Sequence, residues 1–195
     1  ADIKGAGTDK IVINGVESLH GGTYSIIPDQ IEAGTYMAAV AACGGDVLIK
    51  NVIPKHLECI GTKLEDMGVK IEMYDDSIRV IRNGPLRHTN LKTMPYPGFP
   101  TDMHPQMAAA MVLADGSSHI TEGVWPNRFR YAEELEKMGA HISVFKETAV
   151  IEGVPDLFGT DVVAHDLRAG AAMVIAGLAA QGVTTVSNIG YVERG

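Results

Sequence analysis

One stretch of this chain occurs twice. Lys63-Leu64-Glu65-Asp66-Met67-Gly68-Val69-Lys70-Ile71 returns as Glu134-Leu135-Glu136-Lys137-Met138-Gly139-Ala140-His141-Ile142, so Leu, Glu, Met, Gly and Ile recur at an offset of 71 residues. The same offset relates Gly45 to Gly116, Ile49 to Ile120 and Ala38-Ala39 to Ala109-Ala110. A shorter third copy follows 66 residues further on: Met107 matches Met173, Ala110 matches Ala176, Ala114 matches Ala180 and Gly116 matches Gly182. A repeat of this length is a supersecondary unit that buries its apolar face only against its neighbours. The chain is therefore limited to folds assembled from like units.

Each copy reads β-α-β-α-β-β. A short strand opens it, at 23–27, 91–94 and 161–164. A helix follows, at 31–43, 102–114 and 168–180, apolar nearly all round and so expected to be buried on every side. The strand after each glycine covers 46–50, 117–121 and 183–187. A second helix is expected at 56–67 and 128–138, with Leu57, Ile60, Leu64 and Met67 on one stripe. Gly68 and Gly139 fall at the helix C′ position that requires positive φ. Two strands close the copy, as at 69–73 and 77–82 around a Tyr74-Asp75-Asp76 turn. The expectation is an α/β (α+β) domain of βαβαββ units. Residues 1–22 would be a leading segment and strand, 23–90 the first unit, 91–160 the second and 161–195 a truncated third, all in one structural domain. Both ends look cut. Residues 11–16 resemble 149–154, the closing strand of the second copy, and the third copy stops where its second helix is due. The first residue is Ala1, not Met. A piece of a longer chain, or a permuted one, is expected.

Composition narrows the function. With 46% hydrophobic and 21% charged residues the chain has enough apolar surface to fold. Its 22 glycines and 6% aromatics suit helices that approach closely. A net charge of −8 without a basic run argues against nucleic acid as partner. An anionic ligand would need positive charge gathered locally. Cys43 and Cys59 have no CxxC spacing and read as small buried hydrophobes. No apolar run of about 18 residues suggests a membrane span, and no signal peptide stands out, so a cytoplasmic protein is expected.

The repeat register then singles out polar residues. Asp102 is equivalent to Ile31 and to Arg168, while Arg128 is equivalent to Leu57 and to Arg194. Copies packed about an axis would bring such positions together, giving one carboxylate and three guanidiniums. Simpler readings stand beside this one. On the simplest, an Asp in a first helical turn serves only the macrodipole. Arg128 and Arg194 read singly as solvated surface side chains. Arg168 is harder to dismiss, because a cation at a helix N-terminus opposes the dipole unless an anion sits there. Arginine suits planar carboxylates and phosphates, which accept two parallel hydrogen bonds from its fork. His56, His104, His141 and His165 lack metal-ligand spacing and read as ordinary polar residues. Gly21-Gly22 and Gly44-Gly45 read as turns, and the run from Pro95 to Pro100 as a stiff lead into the Asp102 helix.

Tyr96-Pro97-Gly98-Phe99-Pro100-Thr101-Asp102-Met103 closely resembles a signature of the UDP-N-acetylglucosamine 1-carboxyvinyltransferases, Pro/His-Pro-x-Phe-Pro-Thr-Asp-Met. Pro28-Asp29-Gln30-Ile31-Glu32-Ala33-Gly34-Thr35 is similar to a Pro-Asp-x-Ile-Glu-x-Gly-Thr motif of the same family. Asn127-Arg128-Phe129, Asp166-Leu167-Arg168-Ala169 and Glu193-Arg194-Gly195 resemble further family motifs, in the family's order. The resemblance implies an inside-out assembly, helices inside and sheets outside, with two such domains per protein. It implies transfer of the enolpyruvyl group of phosphoenolpyruvate to the 3-hydroxyl of UDP-N-acetylglucosamine, the first committed step of peptidoglycan precursor synthesis. It places Asp102 at the sugar hydroxyl as candidate general base, Arg128, Arg168 and Arg194 on the phosphoenolpyruvate side, and the Val124 backbone against the sugar nucleotide. No metal or organic cofactor is required. The general-acid loop, usually bearing a cysteine, belongs to the other domain and matches neither Cys43 nor Cys59, so this chain alone is expected to be inactive. His104-Pro105 departs from the family, where glutamine is common at the first position. Two rivals remain: the sister enzyme acting on shikimate 3-phosphate, and a non-catalytic, anion-binding repeat domain.

Overall fold

The computed structural model describes residues 1–194. A hairpin of β1 (Asp2–Lys4) and β2 (Val12–Asn14) leads the chain. The first unit holds α1 (Gln30–Cys43), β3 (Gly45–Lys50), α2 (Glu58–Asp66), β4 (Lys70–Met73) and β5 (Ser77–Arg82). A short β6 (Leu86–Arg87) precedes the second unit: β7 (Asn90–Lys92), α3 (His104–Met111), β8 (Ala114–Asp115), β9 (Ser117–Thr121), α4 (Tyr131–Lys137), β10 (His141–Phe145) and β11 (Thr148–Glu152). The third contributes β12 (Asp161–Val163), α5 (Leu167–Ala179) and β13 (Thr185–Ser187).

Each unit has its own small sheet. The second is complete, in the order β10-β11-β9-β7, with β7 parallel to β9 and the other pairs antiparallel. The third repeats the parallel pair as β12·β13, and the first forms β3-β5-β4. The strand expected at 23–27 is not formed. Its sequence has strand propensity, but a strand also needs a neighbour to complete its hydrogen bonds. Here Tyr24 and Ile26 stand in solvent, and β3 pairs on one side only, with β5.

The three first helices of the units pack against one another at the centre of the molecule. Every residue of α3 is buried, as its all-round apolarity implies. The two flanking helices are not covered completely: Tyr36 of α1 and Leu178 of α5 stay exposed. Small side chains allow the close approach. A Cβ on Gly34 of α1 would stand 2.8 Å from Met103 Sδ and 2.9 Å from Ile60 Cδ1. The stripe of the second helix behaves as read, with Leu57, Ile60, Leu64 and Met67 all buried, although Leu57 sits in a 3-10 turn ahead of α2. Gly68 and Gly139 take φ of 93° and 99°. Gly45, Gly116 and Gly182, aligned by the repeat, are likewise at positive φ.

Equivalent residues meet. Gln106 Nε2 donates to Thr35 Oγ1 at 3.1 Å, and these two positions are one repeat apart. The N-cap positions also coincide: Asp29, Pro100 and Asp166 precede the three central helical segments at the same register. Both aspartates cap by accepting backbone N–H groups, of Ile31 at 2.7 Å and of Arg168 and Ala169 at 2.8 Å.

Cys43 and Cys59 depart from expectation: Cys43 is exposed at the end of α1 and Cys59 is half-buried. Burial still pushes both thiols up in pKa.

Met107 sits in the middle of α3 with no exposed surface. Met107→Ala is expected to lower unfolding free energy by about 2–5 kcal/mol, and Met107→Leu by less than about 1.5 kcal/mol. Denaturant titration separates the two; equal, small effects would mean the helix trio is not the packing centre.

Candidate functional site

Asp102 lies in the 3-10 turn Thr101–Met103 that leads into α3, so its carboxylate projects from the N-terminal end of the central helix. Arg128 Nη2 donates to Asp102 Oδ1 at 2.6 Å. From the other side, Arg168 Nε and Nη2 reach Asp102 Oδ2 at 3.3 Å and 3.2 Å. Asp102 and Arg168 are the equivalent positions of units two and three, so the pseudo-symmetric packing itself joins them. Arg128 comes from a loop, three residues ahead of α4 and just after Asn127, whose φ is 56°. The helix expected from residue 128 starts only at Tyr131. Arg128 Nη1 donates to Thr101 Oγ1 at 2.6 Å, so two adjacent residues hold one guanidinium.

Two guanidiniums against one carboxylate leave one positive charge. Burial alone would raise the Asp102 pKa. The hydrogen bond and charge of Arg128, with the charge of Arg168, outweigh it and hold the carboxyl below its ordinary value. Asp102 is therefore ionised at neutral pH.

Arg194 does not join this cluster. It is exposed in the turn after the 189–191 segment, so two guanidiniums converge on Asp102, not three. Gly195, the last residue of its motif, lies outside the described residues. Val124 is at the mouth of an open cleft of about 360 Å³ that Asp102, Thr101, Tyr96, Trp125 and Cys59 also line. Among the described residues no arginine lines this cleft or a similar one between Pro28, Tyr36 and Lys50; Arg128 and Arg168 meet the first through Asp102.

Glu122, which sequence reasoning passed over, lies beneath the site. Only 4% exposed, it follows β9 and accepts hydrogen bonds from the hydroxyls of Thr93 and Thr101 and from the N–H groups of Val124 and Trp125. A signal existed in the register, where Asn51 and Asn188 occupy the equivalent positions and both take positive φ. Burial opposes charge on Glu122. The Trp125 N–H, the Thr93 hydroxyl, the Val124 N–H and the Thr101 hydroxyl together keep its pKa below the ordinary value.

His104, an ordinary polar residue by its spacing, is fully buried. Its Nδ1 is 3.0 Å from the Tyr131 hydroxyl, and its Nε2 is 3.3 Å from Glu122 Oε2 without hydrogen-bond alignment. Burial pushes its pKa down to about 4, further than the Glu122 charge pulls it up. The ring is neutral at pH 7, and no salt bridge forms despite the proximity. His165 belongs to another buried carboxylate: Glu134, which also accepts from the Val163 N–H and from Lys137.

Comparison with known proteins fits this geometry. The family profile described as EPSP synthase (3-phosphoshikimate 1-carboxyvinyltransferase) matches residues 1–195. The chain is 61% identical over its whole length to UDP-N-acetylglucosamine 1-carboxyvinyltransferase 3 of Caldanaerobacter subterraneus subsp. tengcongensis, spanning 47% of that protein. It is 53% identical to the UDP-N-acetylglucosamine 1-carboxyvinyltransferase of Desulfofundulus thermocisternus, again over its whole length and across 81% of that protein. Among solved structures, the enolpyruvyl transferase NikO from Streptomyces tendae aligns with a TM-score of 0.77 at 30% identity, covering 87% of this chain and 41% of that one. EPSP synthase from Acinetobacter baumannii shares the fold at 18% identity, with a TM-score of 0.64, over 85% of this chain and 40% of that one.

The fold, with its charged helix ends, is that of the enolpyruvyl transferases. Within that class the chain belongs to the EPSP synthase family and, inside it, to the UDP-N-acetylglucosamine 1-carboxyvinyltransferases. It spans about half the length of most of the curated relatives it matches, 47% for those of Caldanaerobacter and Clostridium botulinum. Among the described residues no helix is long and apolar enough to cross a membrane.

The buried histidine generates a pH prediction. His104 binds its proton near pH 4 when folded and near 6.5 when unfolded. Between these values the unfolded state holds more protons, so stability is full above about pH 6.5 and falls as pH drops towards 4. His104→Gln is expected to flatten this part of the stability profile, as read by chemical denaturation at stepped pH. An unchanged slope would show that His104 is not the group responsible.

Proposed function

We propose that these residues form one domain of a cytoplasmic enzyme that transfers the enolpyruvyl group of phosphoenolpyruvate to the 3-hydroxyl of UDP-N-acetylglucosamine, with release of phosphate, as the first committed step of peptidoglycan precursor synthesis. The observation that carries this is the ionised Asp102 clamped between Arg128 and Arg168 at the mouth of a cleft. The names of the relatives supply the acceptor and the reaction.

The chemistry has two halves. The sugar hydroxyl adds across the enol double bond: its oxygen bonds to C2, its proton passes to a base, and C3 takes a proton from an acid. The resulting tetrahedral adduct then loses inorganic phosphate from C2 and a proton from C3, restoring the double bond. Asp102 is the base in this scheme. Arg128 and Arg168 meet the carboxylate and phosphate of phosphoenolpyruvate, and Arg194, exposed, serves the same anion. As the guanidiniums turn to the incoming anion they release Asp102, and its basicity rises when the proton has to move. The Val124 backbone meets the sugar nucleotide. The three units, divided near residues 23, 91 and 161, make one structural domain. The acid comes from a second domain of the same protein, so the 195-residue chain alone turns nothing over.

Phosphate release by the full-length protein, with UDP-N-acetylglucosamine and shikimate 3-phosphate as separate acceptors, tests this. Release with the sugar nucleotide alone is expected, with kcat lowered about 10²- to 10⁴-fold by Asp102→Asn. Release with the shikimate ester alone would reassign the acceptor. Silence with both would leave an anion-binding domain.

A further inference from the structure

Glu122 makes no hydrogen bond to either arginine, yet it holds Thr101, one of the two residues that fix Arg128. One carboxylate oxygen accepts from the Thr93 hydroxyl at 2.7 Å, the Val124 N–H at 2.7 Å and the Trp125 N–H at 3.0 Å. The other accepts from the Thr101 hydroxyl at 2.8 Å. A hydroxyl has a single proton. Because Thr101 gives that proton to Glu122, its lone pairs face away, and Arg128 Nη1 donates to them at 2.6 Å. The same guanidinium then donates from Nη2 to Asp102. A continuous, directional chain runs from Glu122 through Thr101 to Arg128 and Asp102. The Gly123 N–H also donates to the Thr93 hydroxyl at 2.8 Å, closing the turn onto the same carboxylate.

A carboxylate is the one side chain that suits this place. All four groups hydrogen-bonded to it are donors, while the nearby His104 Nε2 is not aligned, so the site calls for an acceptor at both oxygens. Burying it is costly unless it is satisfied, and four donors satisfy it.

We propose that Glu122 is the positioning residue of this site: its carboxylate fixes the Val124–Trp125 turn and, through the Thr101 hydroxyl, aims the Arg128 guanidinium. The role rests on the enolpyruvyl-transfer reading for its catalytic consequence, but the aiming of Arg128 is a physical claim that holds without it. Glu122→Gln presents an amide N–H to one set of donors. Either the turn is released or Thr101 must accept from Gln and turn its proton elsewhere.

Two measurements on the full-length protein decide the matter. The first is the exchange and rotation of the Arg128 side-chain N–H groups by NMR, which needs no turnover. Slow exchange is expected in the unsubstituted protein and fast exchange in both Glu122→Gln and Thr101→Val. Slow exchange persisting in the variants overturns the proposal. Should Glu122→Gln not fold, Thr101→Val reads the same link from its other end. The second is a double-mutant cycle on phosphate release from phosphoenolpyruvate with UDP-N-acetylglucosamine. Each single substitution is expected to lower kcat/KM by about 10- to 100-fold, and the pair by little more than one alone, because both break one chain. Losses that multiply would show that the two act separately and overturn the relay. No turnover in the unsubstituted protein would sink the enolpyruvyl-transfer reading instead, leaving the NMR result to judge the positioning.

Discussion

A helix without a polar face can be buried only among other apolar surfaces, and three such helices in one chain solve the problem by burying one another. Nearly everything else in this molecule follows from that. The helix in the middle, α3, is covered on every side. The small sheets lie outside the helices, since the interior is already occupied. Alanine and glycine dominate the contact because the backbones must come close, as Gly34 does against Met103 and Ile60.

Mutual burial of like helices also decides where polar chemistry can stand. Side chains in the middle of the trio are apolar or paired across it, as the Gln106 amide N–H is with Thr35, although Gln106 Oε1 finds no partner among the described residues. At the N-terminal ends the packing opens towards solvent, and the helix dipoles favour negative charge. The position that in the first unit is Ile31 becomes Asp102 in the second and Arg168 in the third. The Arg168 side chain tolerates its helix end because Asp166 caps the backbone N–H groups and Asp102 supplies the opposing charge.

The sequence revealed the central contact because two regularities overlapped on it. The repeat fixed which residues share a place in the fold, and the unusual residues on that register were charged. Arg128 was found the same way, although its backbone lies ahead of α4 instead of on it. Arg194 shares the register of Arg128, yet it stands exposed and away from Asp102. The shell beneath the site was far less legible. Glu122 gathers partners from Thr93, Thr101, Val124 and Trp125, segments that only the fold brings together, and a lone Glu after a strand otherwise reads as solvated. His104 lies in a helix expected to be buried on every side, but its partner was not legible, since the Tyr131 that faces it comes from a different helix. Residues 23–27 failed in the opposite sense: local propensity favoured a strand, but pairing is a property of two segments, and 23–27 do not dock on the free side of β3.

The meeting of Asp102 with Arg168 carries a further lesson about repetition itself. Both occupy one place in the repeat, so identical units would bring like to like there: aspartates that repel, arginines that repel, or the isoleucine that the first unit keeps. Strict internal symmetry can make the scaffold but cannot make an ion pair between equivalent places. The charged centre exists because the copies carry opposite charges at one shared position of a common scaffold. An engineer who made the three units identical would gain a more regular scaffold and, with the same stroke, lose the opposite charges that meet at its helix ends.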